Sequence, residues 1–139
     1  MTKAQRQERK ARSIQSSYRK ATDKTASLSI KQARQIIAKP PLCPYCDKKI
    51  PWQQLSIDHK IPKSRGGLCE PSNLVWSHLH CNVLKGGLLP EEFDLLRKFM
   101  ETNHSMKDYL TKRLKAGGAF IFGNKRRFAM RAKHSFGSK

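Results

Sequence analysis

The sequence predicts an α+β protein, with a small core of two short strands and a short helix between flanking helices and basic extensions. Three observations predict it. The apolar share is 37%, below that of ordinary globular domains, so the core is small. Between Leu42 and Gly87 the composition changes, gathering all four cysteines, three of the five histidines and most of the turn residues. On either side of that stretch, apolar residues recur at helical spacing.

Residues 1–26 are basic and polar, with few apolar side chains. They read as an extension: a frayed tail, an arm lying along phosphates, or both. Residues 27–41 hold a helix from about Ser27 to Ala38, because Ile30, Ala33, Ile36 and Ile37 fall on one face and Pro40-Pro41 stops it. The core occupies residues 42–89. Within it, Ile50 to Ile61 is expected to supply two short strands, with Leu55 and Ile57 on one side and Asp58 at the start or middle of the second. Pro62 to Gly67 reads as a loop. From about Ser72 to Val83 the expected element is a short helix or turn-helix carrying Asn73, His78, Cys81 and Asn82.

Residues 90–118 read as two helices. Pro90-Glu91-Glu92 places proline in the first turn and acids where the helix dipole favours them. Phe93, Leu96, Phe99 and Met100 then repeat at helical spacing, as core residues do. The second helix is expected from Met106 to Lys115, ending at Gly117-Gly118. Residues 119–139 form a basic aromatic tail without an acid. Its phenylalanines would stack on bases or pack together, packing being favoured for Phe120 and Phe122.

The formal charge is +19, from 29 basic and 10 acidic residues. Self-repulsion at that charge calls for a polyanionic partner, since solubility alone needs far less. Nucleic acid is favoured over membrane, because no apolar run approaches bilayer-spanning length and the first residues lack a hydrophobic signal core. The expectation is an intracellular, cytoplasmic and nucleic-acid-associated protein. In a reducing compartment, paired cysteines argue for metal rather than disulfides.

Cys43-Pro-Tyr-Cys46 and His78-Leu-His-Cys81 each carry a two-residue gap that lets both ligands reach one ion. Together they make a Cys3His set suited to structural, tetrahedral zinc. A small core gains most from such a staple. His80 competes with His78, but its one-residue gap to Cys81 is the poorer match. Cys69 lies outside both clips and reads as a free thiol, with substitution for one ligand left open.

Between the clips lies Ile57-Asp58-His59-Lys60-Ile61-Pro62-Lys63-Ser64-Arg65-Gly66-Gly67, followed by Ser72-Asn73-Leu74-Val75 and then Cys81-Asn82-Val83-Leu84-Lys85-Gly86. This succession resembles the HNH endonuclease family: an Asp-His-Ile-x-Pro run, a Gly-Gly turn, an Asn-Leu and a final Cys-Asn-x-x-Lys-Gly. It covers Cys43 to Gly87, and several separated motifs agree in order and spacing. Members bearing zinc usually have cysteine where His78 stands, and Asn82 occupies the last position of the family's name, as in many members. The resemblance implies the ββα-metal (His-Me finger) fold, and hydrolysis of DNA to products with 5′-phosphate ends. In the family pattern Asn73 braces the loop that bears the base.

The residues themselves suit that chemistry. Phosphodiester hydrolysis needs a base for water, a cation on the phosphate and help for the departing oxygen. His59 is the candidate base, since an imidazole can take a water proton. Asp58 and Asn82 offer hard oxygen ligands for one Mg²⁺, or another divalent ion such as Mn²⁺ or Ni²⁺. Adjacent strand residues point to opposite faces, so a bend or bulge is expected to bring Asp58 and His59 to one phosphate. The bland readings are a surface Asp-His pair and an Asn73 that caps the last helix. Lys60, Lys63 and Arg65 would meet phosphates flanking the cut in double-stranded DNA, and Lys85 would contact phosphate or close its turn.

The leading function is therefore a metal-dependent DNA endonuclease. The alternative is a non-catalytic zinc-containing nucleic-acid-binding module. A structural RNA-associated protein rests on charge alone. Homing, restriction, repair and phage-packaging enzymes share the module and differ in partners, so phage or mobile-element proteins stay open as partners, as does oligomeric state.

Overall fold

A computed structural model of the chain describes the backbone of residues 1–122 and the side chains of residues 1–113. The chain divides into two units, Met1–Asn82 and Val83–Lys139.

The first unit opens with α1 (Lys3–Ala21), where the sequence suggested a tail. Its residues are mostly good helix formers, and Thr2 and Gln5 close a reciprocal capping box at 3.2 and 2.8 Å. Ala11 and Ile14 are buried, as are Ala33 and Ile37 of α2 (Ile30–Ala38), and the two helices pack together. Arg34 of α2 donates two hydrogen bonds to Glu8 of α1, at 2.9 and 3.0 Å. Hydrogen bonding by Arg34 holds the Glu8 carboxyl below its ordinary pKa. α2 lies where its apolar stripe put it, with Ser29 as cap and Gln32 completing the box.

The link between the helices is built tightly. Thr22 is fully buried, and its hydroxyl donates to the carbonyls of Tyr18 and Arg19 or Ala26 while accepting from the Ala26 amide. Asp23 and Lys24 both sit in the left-handed region, at φ 50° and 66°. Each costs about 1–2 kcal/mol for a residue with a Cβ. The Lys24 amide, 2.8 Å from the Arg19 carbonyl, helps to hold that turn.

The sheet has two antiparallel strands, β1 (Leu55–His59) and β2 (Leu74–His78), paired from Leu55↔His78 to His59↔Leu74. This corrects two expectations. Ile50 to Ile61 supplies a single strand, preceded by a 3-10 turn over Trp52–Gln54. The second strand is Leu74–His78, so the helix expected from Ser72 is only α3 (Leu79–Lys85). Leu74, Val75 and Trp76 are β-formers too short a run to separate from a helix by pattern alone.

Between the strands, Pro62 to Gly67 is the expected loop, tightened by a 3-10 turn over Lys63–Arg65. Gly66 has φ +86° with open space where a side chain would go, whereas a Cβ on Gly67 would collide with the Ile61 carbonyl group, 2.6 Å from its carbon. Gly66→Ala therefore meets only left-handed strain, about 1 kcal/mol. Gly67→Ala should cost about 3 kcal/mol through backbone collision. Urea melts of the two variants check the order. Equal losses would mean that the backbone contact has no consequence.

In the second unit α4 (Pro90–Thr102) begins where Pro90, Glu91 and Glu92 indicated, and Phe93 and Met100 are buried while Phe99 is half exposed. Arg97 lies 5.9 Å from the Phe93 ring centre. α5 (His104–Phe122) runs through Gly117-Gly118 instead of ending there. Glycine lowers helix stability without forbidding the conformation. Expected packing by Phe120 and Phe122 and the rest of the basic aromatic tail lie outside the described side chains. Among the described residues no helix is long and apolar enough to cross a membrane.

Candidate active site and metal centre

Cys43-Pro-Tyr-Cys46 folds as a knuckle. The Asp47 amide donates to the Cys43 carbonyl at 2.9 Å, the Cys43 amide donates to the Lys48 carbonyl at 2.9 Å, and Leu42 bridges Lys49. Asp47 takes the left-handed conformation that reverses the chain, φ 59°. The end of β2 and the start of α3 deliver His78 and Cys81 to the same place. The ligand atoms of Cys43, Cys46, His78 and Cys81 all lie within 4.8 Å of one another. A tetrahedral zinc ion with sulfur ligands would set them about 3.8 Å apart. Cys46 Sγ is already 3.3 Å from His78 Nδ1.

Burial raises the Cys43 thiol, but hydrogen bonding by His78 and by the amides of Tyr45 and Cys46 brings it down to about 7. Cys81 is pushed the other way, by burial and by the neighbouring Cys43 and Cys46 sulfurs. The set has the count and chemistry of a structural zinc site. His78 is the histidine that completes it; His80 is exposed and outside the cluster. Cys69 is a free, half-buried thiol, also outside.

Strand alternation sorts the other candidates. Ser56 and Asp58 share one face of β1. On that face Asn82 of α3 donates through Nδ2 to the Ile57 carbonyl at 3.0 Å and to Ser56 Oγ at 3.4 Å. Asp58 is 4% exposed, and its Oδ2 accepts from the Tyr45 hydroxyl. Burial and the adjacent Asp58 carboxylate both raise the Tyr45 pKa, so its hydroxyl stays a donor. Tyr45→Phe leaves that buried carboxylate short of a partner and should cost about 1–3 kcal/mol, visible as a lower midpoint in urea. An unchanged midpoint would show that Asp58 finds another donor.

The other face carries Ile57 and His59, and α1 covers it. The Tyr18 and Trp76 rings stack at 6.4 Å, and His59 Nε2 lies 3.1 Å from the carbonyl of Ala21, the last residue of α1. The expected bulge is therefore missing. β1 keeps regular pairing through His59↔Leu74, so Asp58 and Asn82 share a face that His59 does not. The strand ends at His59.

Asn73 does not cap α3. Its Oδ1 accepts from the Ile61 amide at 3.0 Å, and its Nδ2 donates to the carbonyls of Ile61 at 3.0 Å and Leu68 at 2.9 Å. It ties both ends of the loop after His59. Lys60, Lys63 and Arg65 are exposed on or beside that loop. Lys63 Nζ is 3.8 Å from Asp23, and its pKa is raised first by the Cys69 sulfur and then by Asp23. Lys85 is only 1% exposed, and its carbonyl accepts from the Leu88 amide at 3.0 Å. Tyr45 and the Ala21 carbonyl went unnoticed in the sequence. An aromatic residue inside the Cys-x-x-Cys knuckle was a signal for the first; a backbone carbonyl leaves none.

Two strands and a helix make a ββα module, and its Cys3His cluster could hold zinc. Residues 43–87 match the family model described as HNH endonuclease, a nuclease-type domain. Comparison with curated proteins and with solved structures produced no match.

Proposed function

We propose that this protein is a metal-dependent DNA endonuclease that hydrolyses phosphodiester bonds and leaves 5′-phosphate ends. The observation that carries the reading is the Asp58-His59 pair at the end of β1, with Asn82 beside it, inside the stretch that matches the HNH family.

His59 is assigned as the base. A carbonyl can only accept, so the Ala21 contact supports a tautomer with the ring proton on Nε2 and the lone pair on Nδ1. That nitrogen takes the proton of the attacking water. Asp58 and Asn82 fit one hard divalent ion in donor chemistry. Both offer oxygen ligands from one face, and Tyr45 and the β1 backbone fix both side chains. When bound, Mg²⁺, Mn²⁺ or Ni²⁺ would stabilise the charge gathering on the phosphate and the leaving oxygen. Asn73 is a positioning residue that fixes the loop bearing Lys60, Lys63 and Arg65, which would hold flanking phosphates of double-stranded DNA. Such a protein would work inside the cell, next to nucleic acid.

The test is incubation of supercoiled plasmid with the protein and Mg²⁺, Mn²⁺ or Ni²⁺, followed by end-mapping. Nicked or linear product with 5′-phosphates is expected. One observation favours a second reading, a non-catalytic zinc-containing nucleic-acid-binding module: Asp58 and His59 lie on opposite faces, each already hydrogen-bonded within the protein. Plasmid left intact by all three ions, yet bound, would decide for that module.

A further inference from the structure

A cavity of about 590 Å³ opens between the second half of α1 and the link to α2. Its volume falls in the range of ligand sites, roughly 300–1,000 Å³. Arg12, Arg19 and Lys24 line it together with Ser16, Thr25 and Ser27, and no acid contributes to the lining; the Thr25 hydroxyl donates to the Thr22 carbonyl at 2.6 Å. Gln15 braces one side by donating to the Leu28 carbonyl at 2.9 Å.

The cations there are poorly neutralised. Arg12 is 3.3 Å from Glu8, but Glu8 is also bound bidentately by Arg34, so one carboxylate is divided between two guanidinium groups. Among the described residues no ion pair engages Arg19 or Lys24. The Lys24 amide is hydrogen-bonded to the Arg19 carbonyl, which fixes the backbone between these two cations. The strained pair Asp23-Lys24 keeps Lys24 at the cavity, and strain retained at one point is a mark of function.

We infer that this cavity is a binding site for the phosphodiester backbone of a nucleic-acid strand. Three cations, the hydroxyls of Ser16 and Ser27 and the absence of a carboxylate suit phosphate oxygens. The lining has no aromatic ring on which a base could stack, so the backbone is read and not the base. That the strand is a substrate rests on the nuclease reading; that it binds does not.

The experiment uses the full chain carrying His59→Ala, with a short DNA duplex followed by fluorescence anisotropy over a range of salt. Arg12→Gln, Arg19→Gln and Lys24→Gln together remove the site's charge from exposed positions. A control removes the same charge at exposed Lys3, Lys31 and Lys39. The cavity variant should lose about tenfold or more in affinity, with the salt slope falling by about one per lost phosphate contact. The control should lose clearly less. Equal losses in both would overturn the site and leave only net charge. Inorganic phosphate competing as well as duplex would overturn the strand and leave a simple anion site. Wild-type protein that fails to cut plasmid while the two variants still differ would sink the nuclease reading alone.

Discussion

Stripping zinc should unfold the Met1–Asn82 unit. The Cys43 and Cys81 side chains are buried, and the knuckle and the β2–α3 junction bring their ligands to one point with no other covalent link. Small zinc sites contribute about 10–16 kcal/mol at neutral pH, more than the whole stability of an ordinary domain, about 5–15 kcal/mol. Without the ion, four ligand groups sit within 4.8 Å with crowded sulfurs. Cys43→Ser or a zinc chelator should therefore abolish the cooperative thermal transition of this unit and its near-UV signal. A weaker chelator that removes only the hydrolytic ion should stop cutting and leave the transition in place. If exhaustive removal of zinc left the melting curve of this unit unmoved, the four residues would not be a staple.

The second large effect concerns His59. General-base catalysis contributes about 10²–10⁴-fold, so His59→Ala should lower single-turnover nicking by that range while DNA binding stays within a few-fold. Comparison with Asp58→Asn separates the two roles. Loss of the base should be partly overcome at high pH, where hydroxide replaces the activated water. Loss of an ion ligand should instead respond to raised divalent-ion concentration. Plasmid nicked equally well with and without the histidine would remove His59 from the reaction and return the protein to the binding-module reading.

What the sequence made legible follows from how local each signal is. The zinc set was legible because a two-residue gap is itself a geometric constraint, and it also favoured His78 over His80. α2 was legible from four apolar residues on one face and a proline pair behind them. α1 was passed over because its stripe is narrow. Ala11, Ile14 and Tyr18 recur at helical spacing among charges, and their burial depends on α2 and Trp76, partners remote in sequence. β2 was misread because a short apolar run takes its identity from the strand it pairs with, about twenty residues earlier. The candidate active site was half legible. Asp58, His59, Asn73 and Asn82 stand out in the sequence as residue types, and Asn73 hydrogen-bonds both ends of the loop after His59. Their faces were not legible: a bulge was expected, and regular pairing to the last residue of β1 stands in its place.

The contact between the end of α1 and His59 spans 38 residues of chain. A fragment trimmed to the recognisable motif, residues 43–87, would lose the helix that shields Ile57 and Trp76 and the carbonyl that holds the imidazole. Such a fragment would keep its metal ligands yet present a bare apolar surface, and it would aggregate or lose its ring orientation. The smallest piece able to stand alone in a test tube thus begins with α1, well ahead of the motif.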